Sequence, residues 1–170
     1  KRVYYSGYVP VLEDNRLPAL GTEVPMLREN RLYQTDWLLR FYGFDVRELL
    51  NQNHPNLDID IDPKLSWALR NMHMFPVDVN TADKQLLARI PGLGMKSVHK
   101  IINARKYRRL NWENLKAIGI AMSRAKYFMV CNSSNFESRD LEPERIKSMI
   151  LQSSQSKYQK FYNQQLSLFN

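Results

Sequence analysis

Ile90-Pro91-Gly92-Leu93-Gly94 is the stretch of this chain whose residue types and spacing can do chemistry without any reactive side chain. Two glycines flanking one apolar residue make a tight turn, and its bare backbone can approach another surface closely. The turn leads straight into a helix expected from Met95 to about Tyr107. The first N–H groups of such a helix have no acceptor within it and carry the positive end of its dipole. An anion fits there, and Lys96 and Lys100 stand one turn apart on the same helix. The chemistry implied is phosphate binding, which positions a nucleic acid without reading its bases.

The elements that must hold this turn are legible on both sides of it. Upstream, Asp78-Val79-Asn80-Thr81-Ala82-Asp83 places Asn80 as an N-cap with Asp83 in the first turn. A helix follows to about Arg89, with Leu86, Leu87 and Ile90 turned inward. Downstream, Val98, Ile101 and Ile102 form the buried stripe of the second helix. A degenerate copy then begins. Asn111 caps a helix carrying Trp112, Leu115 and Ile118, and Ile118-Gly119-Ile120 takes the turn position. Met122 to Val130 supplies the next helix with Arg124 and Lys126. This copy lacks one glycine and the proline, so it is either a second phosphate contact or a purely structural repeat. Lys106-Tyr107-Arg108-Arg109 joins the copies and adds basic contacts in either case.

Charge sharpens the picture because it is uneven. The 170 residues carry a net charge of +8, yet eleven Lys or Arg and a single acid, Glu113, lie between Lys84 and Tyr127. The rest of the chain has 14 basic and 16 acidic side chains. Such a segment attracts phosphate backbones or anionic lipid. No apolar run approaches the length of a membrane span and no secretory pattern is present, so no membrane association is expected. One cysteine, Cys131, excludes an internal disulfide and any all-Cys metal or iron–sulfur site in this stretch, which suits a reducing cytoplasm. His54, His73 and His99 share no metal-ligand spacing with one another or with Cys131. His99 reads as a packing or phosphate-side residue rather than a general base. The chain starts at Lys1 without an initiator Met and is read as a piece of a longer protein.

Outside the basic segment the pattern is that of a globular body. Val3-Tyr4-Tyr5-Ser6-Gly7-Tyr8-Val9-Pro10-Val11 is β-branched and aromatic, which predicts a strand. Helices are expected over 26–42, 45–50 and 63–70, with Pro63 in the first turn of the last. Asp58, Asp60 and Asp62 alternate like the start of a calcium loop. Pro63 stands where the required Gly belongs and Leu69 where the closing Glu belongs, so an acidic loop or strand face is expected instead. After Asn132 the chain turns polar, with a helix expected from Pro143 to Leu151 and a mobile tail beyond Gln152.

The string around Gly92 resembles the helix-hairpin-helix family: apolar-Pro-Gly-apolar-Gly, an apolar-rich helix, and Arg105 at its end. The resemblance implies that the N–H groups of Gly92, Gly94 and Ser97 bind a phosphate of DNA, double-stranded above all. It also implies a monovalent cation on the carbonyls of Ala88, Ile90 and Leu93. Paired hairpins of this family pack as a pseudo-symmetric four-helix unit that grips both strands across a minor groove. The expected DNA-contacting set is Gly92, Leu93, Gly94, Lys96, Ser97, Lys100, Arg105, Arg108, Arg109, Gly119 and Arg124. Gln165-Leu166-Ser167-Leu168-Phe169 resembles, at every position, the peptide by which bacterial replication and repair proteins dock on the DNA polymerase III sliding clamp. Gln165, Leu166, Leu168 and Phe169 would make that contact, with the apolar pair entering a pocket and Gln165 bonding at its rim.

Residues 27–44, from Leu27-Arg28-Glu29-Asn30 through Trp37-Leu38-Leu39-Arg40 to Gly43-Phe44, resemble the rear part of a bacterial family of DNA repair or modification radical S-adenosylmethionine proteins. So does Asp62-Pro63-Lys64-Leu65-Ser66-Trp67-Ala68-Leu69-Arg70, and the resemblance covers about residues 1–131. In that family a partial α/β barrel holds a [4Fe–4S] cluster and S-adenosylmethionine through a Cys-x3-Cys-x2-Cys loop, which is missing here. The fold class expected is therefore mainly α, a tandem helix-hairpin-helix domain (76–131) after a small α/β remnant of a partial barrel (1–75), with a polar tail (132–170). The chain itself is expected to carry no catalytic residue and no cofactor. Helix-hairpin-helix glycosylases need an Asp downstream of the hairpin, and none occurs between Lys84 and Arg139. The competing reading is a freestanding, non-catalytic DNA-binding module of the competence-receptor kind.

Overall fold

A computed structural model describes residues 3–11, 13–131 and 141–166, with residues 155–166 as helix backbone. The chain divides into two compact units, 1–63 and 64–170. It is mainly helical, and a two-stranded parallel sheet is the only sheet among the described residues.

The first unit holds α1 (Met26–Phe41) and α2 (Val46–Leu49). Gly43, at φ +69, ends the first helix in the left-handed region. Asp45 opens the second with a capping box, accepting from Arg47 N–H while Glu48 accepts from Asp45 N–H. Leu38, Phe44 and Leu49 are buried. The strand expected over residues 3–11 is absent. That segment is extended, but it is tied to α1 by side chains: the Tyr33 hydroxyl bonds both the N–H and the carbonyl of Tyr5, and Glu29 accepts from Gly7 N–H. A strand needs a neighbouring ladder, and no described residue offers one. Asp58 accepts from the N–H groups of Asp60 and Ile61, so its carboxylate organises its own loop.

The second unit begins at Lys64, within α3 (Pro63–Arg70). Its Leu65, Trp67 and Ala68 are buried. A chain of edge-on aromatic contacts runs from Trp67 to Phe75 (6.3 Å) and from Phe75 to Phe128 (5.2 Å). The Arg89 guanidinium lies 4.8 Å above the Trp67 ring. After a 3₁₀ turn at Met72–Met74 come β1 (Val77–Asp78), α4 (Lys84–Arg89), α5 (Met95–Ala104), α6 (Trp112–Ala117), α7 (Met122–Ala125) and β2 (Met129–Val130). The strands pair in parallel, Val77 with Met129 and Asp78 with Val130, and so join the start of the first hairpin to the end of the second. Leu87, Ile90, Leu93, Val98, Ile101, Leu110, Leu115, Phe128 and Met129 fill the interior.

Three expectations change here. Asn80 is not the cap of α4; Asp83 is, accepting from Leu86 N–H. Asn80 instead spans the two halves: its amide donates to the carbonyls of Leu110 and Cys131, and its oxygen accepts from Leu110 N–H at 2.7 Å. The helix expected over 122–130 stops at Ala125, because the backbone of 128–130 is taken by β1. The helix expected to end at Leu151 continues to Leu166 as α8 (Pro143–Leu166), with Ile146 and Ile150 buried, so residues 152–166 are helix rather than tail.

Asn80→Ala removes three hydrogen bonds and leaves a buried Leu110 N–H without its acceptor. It is expected to lower stability by about 2–3 kcal/mol, against about 1 kcal/mol for the ordinary cap variant Asn111→Ala. Urea unfolding of the two variants checks this; equal losses would mean that Asn80 is only a local turn residue.

Candidate nucleic-acid interface

Pro91 and Gly92 are the central residues of the first hairpin turn. Leu93 N–H donates to Ile90 C=O at 3.2 Å, and Gly92 has φ +86. Proline first and a left-handed glycine second is the type II pattern. Gly92 has a second reason to be glycine. A Cβ there would lie 3.2 Å from Arg124 Cβ and 3.3 Å from Ala125 N, so the turn packs directly on α7 of the other hairpin. A bulky residue at Gly92 therefore strains the fold as well as any DNA contact.

Gly94 is the N-cap of α5 with φ −83 and ψ 164, and its carbonyl accepts from Val98 N–H. Among the described residues, no protein acceptor meets the N–H groups of Gly94, Met95, Lys96 and Ser97. Four donors thus converge at the positive end of a ten-residue helix. Along α5, Lys96, His99, Lys100 and Asn103 are exposed while Val98 and Ile101 are buried, which sets a polar stripe at helical spacing against the core. His99 lies on that stripe and not in the packing. Asn103 was not singled out from sequence, although the i, i+3, i+4, i+7 spacing from Lys96 would have found it.

Eight of the eleven basic residues of the segment are exposed: Lys84, Lys96, Lys100, Lys106, Arg108, Arg109, Lys116 and Lys126. Arg108 and Arg109 flank Tyr107, which is 89% exposed in the connection between hairpins. Arg105 has other work. One terminal nitrogen donates to the carbonyls of Val79 (3.0 Å) and Ala82 (2.6 Å), tying the end of α5 to the entry of α4. Lys100 bonds the carbonyl of Ile118 at 2.8 Å while staying exposed, so it also links the hairpins.

The second hairpin keeps the left-handed glycine, Gly119 at φ +79, but uses it differently. Gly119 N–H donates to Lys116 C=O and Ile120 N–H to Leu115 C=O, the paired bonds of a Schellman helix end. Its N–H is thus spent inside the turn. Ala121 replaces the second glycine at φ −72, which any residue adopts, so that loss carries no conformational penalty. The following helix, α7, has only four residues. The repeat is built for packing, and Arg124, half-buried beside Gly92, belongs to that packing.

Two of the three carbonyls expected to hold a monovalent cation, those of Ile90 and Leu93 but not Ala88, are seen with protein donors. Ile90 C=O accepts from Leu93 N–H, and Leu93 C=O accepts from the Lys64 ammonium at 2.6 Å. Lys64 was not singled out from sequence; it is 7% exposed and lies at the start of α3. Of the clamp-docking residues, Gln165 and Leu166 end α8 with side chains outside the description, and Leu168 and Phe169 lie outside the described residues.

Comparison with known proteins agrees with this geometry. Residues 75–118 match the family model described as helix-hairpin-helix motif. The chain is 32% identical over 126 residues to the Holliday junction branch migration complex subunit RuvA of Stutzerimonas stutzeri (strain A1501), covering 67% of this chain and 58% of that protein. The chain therefore spans little more than half the length of that relative. No solved structure matches. The fold is mainly helical with a helix-hairpin-helix motif, and both similarities support DNA binding by it.

Proposed function

We propose that residues 64–131 grip double-stranded DNA through its backbone, independent of sequence, and hold a larger DNA repair or modification enzyme on its substrate. The observation that carries this reading is the set of four convergent N–H donors at the start of α5, bordered by Lys96 and a polar stripe. One phosphate would sit on Gly94, Lys96 and Ser97 beside the Gly92–Leu93 turn. Lys100, Arg108 and Arg109 would neutralise neighbouring phosphates. Gly119, Arg105 and Arg124 would act by holding the hairpins together.

The enzyme itself is inferred from the resemblance of residues 27–44 and 62–70 to radical S-adenosylmethionine proteins. A cluster held by three cysteines does not fit this chain, whose one cysteine, Cys131, is buried. On this reading S-adenosylmethionine and [4Fe–4S] would be held by another part of a longer protein, in a reducing, cytoplasmic setting. The gene upstream of Lys1 is expected to encode a Cys-x3-Cys-x2-Cys loop; sequencing that finds none sinks the enzyme assignment. The sliding clamp is the second partner proposed, on the strength of Gln165-Leu166-Ser167-Leu168-Phe169 alone. Deleting residues 165–170 is expected to abolish binding to immobilised clamp and leave DNA affinity unchanged. Retained clamp binding removes the peptide from the account.

The similarity to a branch-migration subunit favours a second reading, a non-catalytic module that acts on branched DNA. One experiment separates the two. Fluorescence anisotropy of the 170-residue chain is measured on random-sequence duplex and on a four-way junction, titrated with salt. Backbone gripping predicts affinity of about micromolar order on duplex, weakening steeply with salt. Lys96→Ala, Arg108→Ala and Arg109→Ala should each lower the salt slope by about one. Junction binding at least about tenfold tighter (1.4 kcal/mol) supports the second reading, and salt-insensitive or absent binding overturns both.

A further inference from the structure

We propose that the buried Lys64 ammonium is the positioning group of the phosphate-binding turn, doing with a side chain what a bound monovalent cation would otherwise do. The proposal rests on the phosphate reading of the α5 N-terminus and assigns what orients it.

Lys64 reaches from α3 to the inner side of the hairpin and donates to Leu93 C=O at 2.6 Å, a short, charge-assisted bond. The Leu93–Gly94 peptide is trans, so its N–H is antiparallel to its C=O. A carbonyl drawn inward onto Lys64 forces Gly94 N–H outward, at the opposite edge of the same peptide group. Gly94 N–H is the first of the four convergent donors, and the same peptide sets the direction in which α5 begins. The Lys64 side chain also lies behind the turn in a poorly solvated position, where electrostatic interactions are weakly screened.

The same bond argues against an ion on these carbonyls. A cation on Leu93 C=O would sit against an ammonium already there, and Ile90 C=O is engaged by Leu93 N–H. Two like charges sharing one buried acceptor repel strongly. With two of its three carbonyls engaged, the set does not fit the ion, and the lysine supplies the charge. Lys64 is among the best-buried charged residues described, and burial of a lysine is uncommon without such a task.

The test compares the 170-residue chain with Lys64→Met and Lys64→Gln on duplex DNA, in potassium, sodium and choline chloride at one ionic strength. Circular dichroism and thermal melts accompany every variant. The unaltered chain is expected to bind equally in all three salts. Lys64→Met, which has no donor for Leu93 C=O, is expected to bind about tenfold more weakly in choline, with part of the loss restored in potassium as the freed carbonyls accept an ion. Lys64→Gln, whose amide can still donate, is expected to fall between. Potassium-dependent binding by the unaltered chain overturns the proposal without any variant. So does a folded Lys64→Met that binds normally in choline. If the unaltered chain binds in no salt, the phosphate reading fails first and takes this assignment with it.

Discussion

Asn80 is the residue on which the rest of the second unit depends. It lies just after β1, yet its side chain satisfies both the carbonyl and the N–H of Leu110 and the carbonyl of Cys131. Leu110 precedes the cap of α6, and Cys131 follows β2. One amide therefore ties its own segment to two others, thirty and fifty-one residues away in sequence. A two-residue parallel pairing is too short to hold alone, and these bonds give it a third point of attachment.

With the ends tied, the two hairpins become a single packed body, and the turn at Gly92 inherits its rigidity. Gly92 has α7 directly against it, Lys100 bonds the second turn, and Arg105 anchors the entry of α4. The second repeat has kept the left-handed glycine but closed its N–H groups into a Schellman end. Division of labour follows from that difference. One hairpin presents open donors to solvent, and the other spends its donors on holding the first in place. Preorganised donors bind an anion without further ordering, which is why the supporting contacts matter as much as the lysines that border the site.

The helices of the hairpins were readable in order and type because their apolar spacing and stop signals are local. Pro63 to Arg70, the end of α4 at Arg89 and the start of α5 at Met95 fall where composition puts them. What failed locally failed for a consistent reason. The 3–11 segment has the composition of a strand but no ladder to join, and Asn80 has the composition of a cap but a more distant set of partners. The helix after Met122 was cut short by a strand pairing that begins some fifty residues earlier. The extension of α8 to Leu166 ran against its polar composition.

The interface divides along the same line. The glycine turn, the helix behind it, the surplus of positive charge and the bordering Lys96 are properties of short stretches, so the sequence by itself determined them, and with them the class of ligand. Which basic residues face solvent, which are consumed as internal ties, and which carbonyls already have a donor depend on segments brought together from far apart. Arg105 and Gly119 changed meaning for that reason, and Lys64 gained one. A side chain's hydrogen-bond partner is chosen by what tertiary packing places within about 3 Å, and no local pattern records that choice.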